Sequence, residues 1–136
     1  MAKIYLAAPF FKKEEREFVE KFAEMFRRCG NEVYVPMEHK IENGENLPNN
    51  EWARKVFEQD IKAIDECDTV IAIYSSLYSD TGTAWECGYA YAKGKRVLIN
   101  ICKEESESNG TIKNIKSLMV INGSNNYNTY DSFIQM

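Results

Sequence analysis

The sequence predicts an α/β fold in which a mostly parallel sheet is covered by helices on both faces. Short apolar runs, typical of buried strands, alternate with longer segments whose apolar residues recur at helical spacing. This alternation is the pattern of parallel strands joined by helical crossovers. The 136 residues, of which 44% are hydrophobic and 28% charged, suit an ordinary globular protein with a substantial core. We therefore expect a single domain over residues 1–136.

The first half of the chain contains two predicted strands and a helix between them. The run KIYLAAPF (residues 3–10) is a short strand closed by a proline. Residues 12–30 follow with phenylalanines at helical spacing, an acidic start, two arginines near the end and a terminal glycine, all signals of a helix. EVYVP (residues 32–36) is the second strand. The polar segment Met37–Asn50 is predicted to be a loop, long enough to be functional.

The second half repeats this pattern. A helix is predicted over residues 50–68, a strand over 69–74, a third helix over 83–94 and a fourth strand over 96–101. Beyond Cys102 the pattern weakens.

The C-terminal part is less regular. Residues 111–123 are compatible with one short helix or strand, and residues 124–136 form a tail whose structure the pattern does not define.

Composition excludes several classes of function. The net charge is −4 and no block of Lys and Arg indicates a track for a nucleic acid polymer. The four cysteines form no CxxC pair and the single His39 has no Cys or His nearby in sequence, so we expect no metal site and buried, reduced thiols. No run approaches the roughly 20 apolar residues of a membrane span, and the N-terminus lacks the features of a signal peptide. A cytoplasmic protein is the expectation.

Glu86 is the most conspicuous candidate for chemistry. In parallel α/β sheets, ligands bind where strands end, and Glu86 follows the third strand closely. We place it in the first turn of its helix, where the helix dipole would keep it ionised, with the N–H groups of Gly82 and Thr83 available to an anion. Such a carboxylate can act as a nucleophile or stabilise a cationic transition state; otherwise it simply complements the dipole. Gly88, inside the same helix, suggests close packing or close approach of a ligand.

Three further residues accompany Glu86. Asp60 lies on the apolar face of its helix, between Phe57 and Ile64, so it either has a partner or faces a ligand cleft. Asp80 is either functional or an ordinary turn residue. Tyr5, inside the first strand, is either functional or a core aromatic whose hydroxyl has found a partner.

Three stretches together resemble the nucleoside 2-deoxyribosyltransferases: KIYLAAPF, EQDIKAIDECDTVIAIY and DTGTAWECGYAYAKGKRVL. The resemblance runs from Lys3 to Asn100, about three quarters of the chain. Its most specific part is the pattern Asp-x-Gly-Thr-x-x-Glu-x-Gly-x-Ala directly after a strand. The resemblance implies a flavodoxin-like three-layer sandwich with a mostly parallel central sheet of about five strands. It also implies transfer of a 2-deoxyribosyl group between nucleobases in nucleotide salvage, without metal or organic cofactor.

The resemblance also implies roles for individual residues. Glu86 resembles the nucleophile that attacks the anomeric carbon, and Tyr5 the tyrosine that holds it. Asp60 and Asp80 resemble the acids that contact base and sugar, one of them protonating the leaving base. The implied substrate-binding residues are Ala8, Phe10, Gly82, Thr83, Ser117 and Met119. The implied partners are a small deoxynucleoside, a free nucleobase and further copies of the chain, in a homo-oligomer (dimer or higher) with shared active sites.

Two alternatives stay open. The related deoxynucleoside 5'-monophosphate N-glycosidases tend to have a serine before Leu-Met, as residues 117–119 do here, whereas the transferases commonly have an asparagine. Asn114 or Asn122 could supply that amide in another register. Against the hydrolase, AAPFFKK replaces a Gly/Ser/Arg-rich loop, and Asp80 would repel a phosphate. The third possibility is a nucleotide-binding module without turnover. The transferase is favoured.

Overall fold

The structure is a computed structural model that describes residues 1–75, 80–102, 119–120, 123–124 and 126–130. In the part of the chain that the structure describes, the strands and longer helices follow one another in the order β1 (Lys3–Ala7), α1 (Lys13–Arg28), β2 (Glu32–Tyr34), α2 (Asn49–Glu66), β3 (Thr69–Ser75), α3 (Thr81–Ala92), β4 (Arg96–Cys102) and β5 (Asn126–Tyr130). The helices and the first four strands lie where the apolar periodicity predicts them.

The sheet has the strand order β2-β1-β3-β4-β5, and all neighbouring strands are parallel. This is the flavodoxin-like order, so the predicted fold class is confirmed. The order reverses at β1, because β2 lies on one side of it and β3 on the other. The carboxyl ends of β1 and β3 therefore flank the crevice where ligands bind in such sheets.

The two faces of the sheet are covered by different helices. One face packs against Phe18, Val19 and Phe22 of α1. The other face, which carries Tyr5 and Tyr74, packs against α2 and α3. The two helices that carry the candidate carboxylates thus lie on one side of the sheet, together with Tyr5.

Several local expectations need correction or lie outside the structure. The predicted loop Met37–Asn50 overlaps a 3-10 turn at Pro36–Glu38, contains another at Gly44–Asn46, and ends where α2 begins at Asn49. The tail contains β5, which its polar sequence did not reveal. Most of the segment 111–123 lies outside the described residues.

Three expectations concern the cysteines, membrane spans and metal sites. Cys67 and Cys87 are buried free thiols as expected, but Cys29 is exposed because it lies at the C-terminal end of α1. Among the described residues, no helix is long and apolar enough to cross a membrane. Within the same residues, no group of three or more His, Cys, Asp or Glu side chains could hold a metal ion.

Glu15 ties the start of α1 to the loop that follows β1. Its side chain is 1% exposed, and Oε1 accepts hydrogen bonds from the backbone N–H groups of Lys12 at 2.9 Å and Phe11 at 3.1 Å. These donors belong to the start of the helix, where the helix itself provides no acceptors. Glu15 therefore fixes the direction in which the chain leaves β1 toward the crevice.

We expect Glu15→Ala to lower the free energy of unfolding by about 1–2 kcal/mol, because two backbone donors lose their acceptor. Glu15→Gln keeps a carbonyl oxygen and should lose less. Urea denaturation measures both, with Glu14→Ala, an exposed position in the same turn, as the control expected within about 0.5 kcal/mol of the parent. Equal losses for Glu14→Ala and Glu15→Ala would contradict this role.

Candidate active site

Glu86 lies in the second turn of α3, because the helix begins at Thr81. Its side chain points toward the sheet, and Oε2 accepts a hydrogen bond from the Tyr5 hydroxyl. Burial raises the pKa of Glu86 to about 7; the Tyr5 hydrogen bond opposes this shift, and the charges of Asp60 and Asp80 add to it. The expectation of a first-turn glutamate kept ionised by the helix dipole is therefore wrong, since that effect fades beyond the first turn.

Tyr5 is fully buried in β1, at 0% exposure. Burial, followed by the negative charge of Glu86, raises the pKa of the Tyr5 hydroxyl far above its usual range. The hydroxyl is therefore protonated at any working pH and acts as a fixed hydrogen-bond donor. Both interpretations of Tyr5 fit the structure, because its ring lies in the core and its hydroxyl binds the candidate catalytic Glu86.

Asp60 lies on the side of α2 that faces α3 and is half-buried. Burial raises its pKa to about 6, and His39 partly offsets this effect. In the part of the chain that the structure describes, no ion pair reaches its carboxylate, and Asp60 lines two clefts beside Glu86. Of the two readings of this residue, the one that puts it in a cleft fits the geometry.

Asp80 is the N-cap of α3. Its Oδ2 accepts hydrogen bonds from the backbone N–H of Thr83 at 2.9 Å and from the Thr83 hydroxyl at 2.7 Å. Thr83 is 0% exposed, so the expectation that its N–H is available to an anion is wrong. Asp80 thus has a structural role, while its charge also reaches Glu86.

Two clefts meet at Asp60 and Glu86. One, of about 340 Å³, lies between α2 and α3 and is lined by Phe57, Ile61, Gly82 and Trp85 in addition to the two carboxylates. The other, of about 100 Å³, lies at the carboxyl end of β1. Its further lining residues include Ala8, Phe10, His39, Ile41 and Gln59.

The structure brings most, but not all, of the predicted site residues together. The two clefts are lined by Ala8, Phe10, Asp60, Gly82 and Glu86. Tyr5 contacts Glu86 from within the sheet, and Asp80 and Thr83 form the cap beside the clefts. Ser117 lies outside the described residues. Met119 is 84% exposed and lines a different groove, on the other side of α3, together with Gly88.

Gly88 has no close neighbour from another element in the described part of the chain. Apart from the adjoining residues and backbone of α3, no described atom lies within 4 Å of the position that a Cβ at Gly88 would take.

Four residues of the clefts were missed or only partly recognised in the sequence. His39 was considered only as a metal ligand, and Gln59 was not considered. Phe57 was taken only as part of the apolar face of α2. Trp85 was taken first as a core or interface residue, although it was also expected to help to select the base. Phe57 and Trp85 are about half exposed, at 52% and 51%. The available signal was their spacing from Asp60 and Glu86: Phe57 lies one helical turn before Asp60, and Trp85 directly precedes Glu86.

Comparison with known proteins agrees with this geometry. The family model described as nucleoside 2-deoxyribosyltransferase matches residues 4–119. The chain belongs to this family. The predicted family, and with it the class of enzyme, is confirmed.

Relatives of two kinds are similar to the chain. A nucleoside deoxyribosyltransferase from Lactobacillus johnsonii is 32% identical over 77 residues, which are 52% of this chain and 52% of the relative. The chain thus matches about half the length of that protein. A candidate 2'-deoxynucleoside 5'-phosphate N-hydrolase 1 from Thermofilum pendens is 28% identical over 107 residues, 78% of this chain and 72% of the relative.

A solved structure supports the fold over nearly the whole chain. The 2-deoxyribosyltransferase from Bacillus psychrosaccharolyticus superimposes with a TM-score of 0.76 and 32% sequence identity, covering 98% of this chain and 88% of that chain.

The raised pKa of Glu86 predicts a pH-dependent loss of stability. An unfolded glutamate has a pKa of about 4.3, so between roughly pH 4 and 7 the unfolded chain releases this proton before the folded one does. The stabilising effect of the bound proton is therefore present at low pH and is lost as the pH rises through about 7.

Glu86→Gln should remove this effect while keeping an acceptor for Tyr5. We expect it to raise the free energy of unfolding at pH 8 by about 1–2 kcal/mol, a value discounted for partial solvent screening, and to change it little at pH 4. Denaturation at both pH values measures the difference. Glu58→Gln, at an exposed position of α2, is the control, and an equal effect of Glu86→Gln at the two pH values would contradict the prediction.

Proposed function

We propose that this chain exchanges nucleobases on 2'-deoxyribonucleosides by a retaining double displacement through a glycosyl-Glu86 intermediate. The observation that carries the proposal is a half-buried glutamate, held by a buried tyrosine hydroxyl, in clefts that it shares with a second carboxyl group. Enzymes that cleave glycosidic bonds commonly use two carboxyl groups, one of which attacks the sugar while the other protonates the leaving group.

The first displacement assigns one role to each carboxyl group. Protonated Asp60 donates its proton to the leaving base, because a nucleobase leaves readily only when it is protonated. As the bond from C1' to the base nitrogen breaks, the ionised Glu86 stabilises the developing oxocarbenium ion and forms a bond to C1'. The Tyr5 hydroxyl orients the carboxylate through Oε2.

The second displacement reverses the first. A free base attacks C1' on the face that the first base left, the bond from C1' to Glu86 breaks, and Asp60 takes the proton that the incoming base loses. Two inversions retain the configuration at C1'. No step requires a metal or an organic cofactor. Asp80 contributes its negative charge and keeps the start of α3 in place.

The charges around the clefts support a bare nucleoside as the substrate. Among the described residues that line the two clefts there is no Lys or Arg, whereas Asp60 and Glu86 contribute carboxylates and Asp80 lies nearby. A 5'-phosphate would add like charge at low effective dielectric, which is repulsive. A neutral nucleoside has no such conflict.

The second candidate is hydrolysis of 2'-deoxynucleoside 5'-monophosphates by the same glutamate, with water as the acceptor. The relative from Thermofilum pendens, similar over 78% of this chain, favours it. A third possibility, binding of a nucleotide without turnover, would leave the paired carboxyl groups without a use.

We also propose that the chain acts as a homo-oligomer. The groove on the other side of α3 from the two clefts is lined by Gly88, Tyr91 and Met119, and the two larger side chains are 64% and 84% exposed. Contiguous apolar surface of this kind is typical of protein interfaces.

The decisive assay incubates the purified protein with thymidine and free adenine, beside thymidine monophosphate alone. We expect deoxyadenosine to form in the first reaction, measured by chromatography. Glu86→Gln should lower its rate by about 10⁴-fold or more, because the nucleophile is lost, while Glu58→Gln keeps the parent rate. Thymine released only from the monophosphate, without deoxyadenosine, would establish the hydrolase instead. If no base is released from any substrate, binding of a nucleotide without turnover is the function that remains.

The pair of carboxyl groups also predicts the pH dependence of kcat/KM. Glu86 must be ionised and Asp60 protonated, so activity should fall on both sides of an optimum. The pKa values of about 7 and about 6 place that optimum between about pH 6 and 7, with two apparent values that belong to the pair. A profile that stays flat from pH 5 to 9 would exclude these assignments.

A further inference from the structure

Tyr34 lies between the Tyr5 ring and the loop that follows β2. In the parallel pairing of β1 and β2, Tyr34 is the direct neighbour of Tyr5. The two rings stack with centroids 5.6 Å apart and planes 12° apart. His39 stacks against Tyr34 in turn, with centroids 4.1 Å apart and planes 5° apart. Tyr5 therefore has Tyr34 as its ring neighbour on the β2 side and Glu86 at its hydroxyl.

Gln59 fixes this row of rings from α2. Its Nε2 donates a hydrogen bond of 2.9 Å to the Tyr34 hydroxyl, and it lies 3.4 Å from the carbonyl oxygen of His39. One side-chain amide thus connects α2, β2 and the loop after β2. Gln59 directly precedes Asp60, so the same contact limits the rotation of α2 about its axis at the residue that faces Glu86.

We propose that Tyr34 and Gln59 are positioning residues that hold the Tyr5 hydroxyl against Glu86. Neither residue has a hydrogen bond to Glu86 in the described structure; they act through the ring of Tyr5. If the Tyr34 ring is removed, space opens beside Tyr5 and its ring can tilt, which carries the hydroxyl away from Oε2. This inference deepens the proposed function, on which it rests for its catalytic meaning.

The surroundings of Glu86 give this role a measurable signature. The groups that face Glu86 are Tyr5 on β1, Asp60 on α2, Asp80 at the start of α3 and Tyr74 on β3, with Cys87 beside it. Burial and the charges of Asp60 and Asp80 raise the pKa of Glu86, whereas the hydrogen bond from Tyr5 lowers it. A weaker contact with Tyr5 must therefore raise this pKa further.

Three variants distinguish the effect of the Tyr34 ring from that of its hydrogen bond with Gln59. Tyr34→Leu removes the ring, Tyr34→Phe keeps the ring but removes the acceptor for Gln59, and Gln59→Leu removes the donor. Glu58→Gln, the exposed neighbour of Gln59 on α2, is the matched control. The readout is a ¹³C NMR titration of the Glu86 carboxyl carbon, assigned from its absence in Glu86→Gln, together with kcat and KM for base exchange.

We expect Tyr34→Leu to raise the pKa of Glu86 by about one unit, the shift that corresponds to losing a hydrogen bond to a charged group. kcat should fall about tenfold with KM changed less than about twofold, because orientation is lost rather than substrate binding. Tyr34→Phe and Gln59→Leu lose the same hydrogen bond but keep the Tyr34 ring, so each should show about half of the pKa shift and a smaller loss of kcat. Glu58→Gln should match the parent.

The proposal is overturned if Tyr34→Leu and Gln59→Leu both fold and leave the pKa of Glu86 unchanged, whatever they do to thermal stability. If Tyr34→Leu does not fold, Gln59→Leu decides alone by the same criterion, because its side chain lies at the surface of the cleft. The titration needs no turnover. A parent protein without base exchange would therefore refute the proposed function, while the titration would still test the positioning of Tyr5.

Discussion

The hydrogen bond from Tyr5 to Glu86 is the interaction on which the rest of the site depends. Burial opposes ionisation of Glu86, and so do the nearby charges of Asp60 and Asp80. The hydroxyl of Tyr5 favours the ionised form, and its own high pKa ensures that it always donates. Without this hydrogen bond the pKa of Glu86 would be higher still, and less of the ionised carboxylate that the proposed reaction needs would be present. The reactivity of one side chain is therefore set by a residue in the middle of β1.

The strand order makes this contact possible. β1 has β2 and β3 along its edges and helices over both of its faces, so Tyr5 cannot reach solvent. Helices α2 and α3 cover the same face of the sheet, so two carboxyl groups from separate parts of the chain meet above one strand. The N-cap at Asp80 sets where α3 begins and hence which of its turns carries Glu86. The strand order and the N-cap of α3 together therefore determine where the two carboxyl groups lie.

Much of this arrangement could be predicted from the sequence, and the failures have physical causes. Apolar periodicity located the helices and four strands. It also placed Asp60 on an apolar helix face, where a carboxylate needs either a partner or a ligand cleft. It missed β5, because NYNTY lacks the apolar pattern that marks a strand. Starting α3 at Thr83 rather than Thr81 put Glu86 two residues too close to the start of the helix. The direction of its pKa shift was missed because burial, which depends on how α3 packs on the sheet, raises that pKa.

The roles of Tyr34 and Gln59 could not be predicted by such arguments. Tyr34 matters because the pairing of β1 and β2 places it beside Tyr5, and that register is not visible in either strand alone. Gln59 matters because α2 is rotated so that its amide reaches the hydroxyl of Tyr34. Both facts depend on how separate elements pack. Local patterns find residues that are anomalous in their own element, such as Asp60, but not residues that become important only through a neighbour.

The electrostatics of the site connect its chemistry to its choice of substrate. Three carboxyl groups lie close together, and the described residues that line the clefts supply no Lys or Arg to balance them. Such a site favours a reaction in which positive charge develops on the substrate, as it does on the sugar when the glycosidic bond breaks. The same negative potential opposes a substrate that already carries a phosphate. Burial raises the pKa of Glu86, and the repulsion from Asp60 and Asp80 adds to this effect. In the proposed reaction, positive charge on the sugar would relieve that repulsion, so the arrangement that disfavours the ionised carboxylates in the free protein would stabilise the transition state.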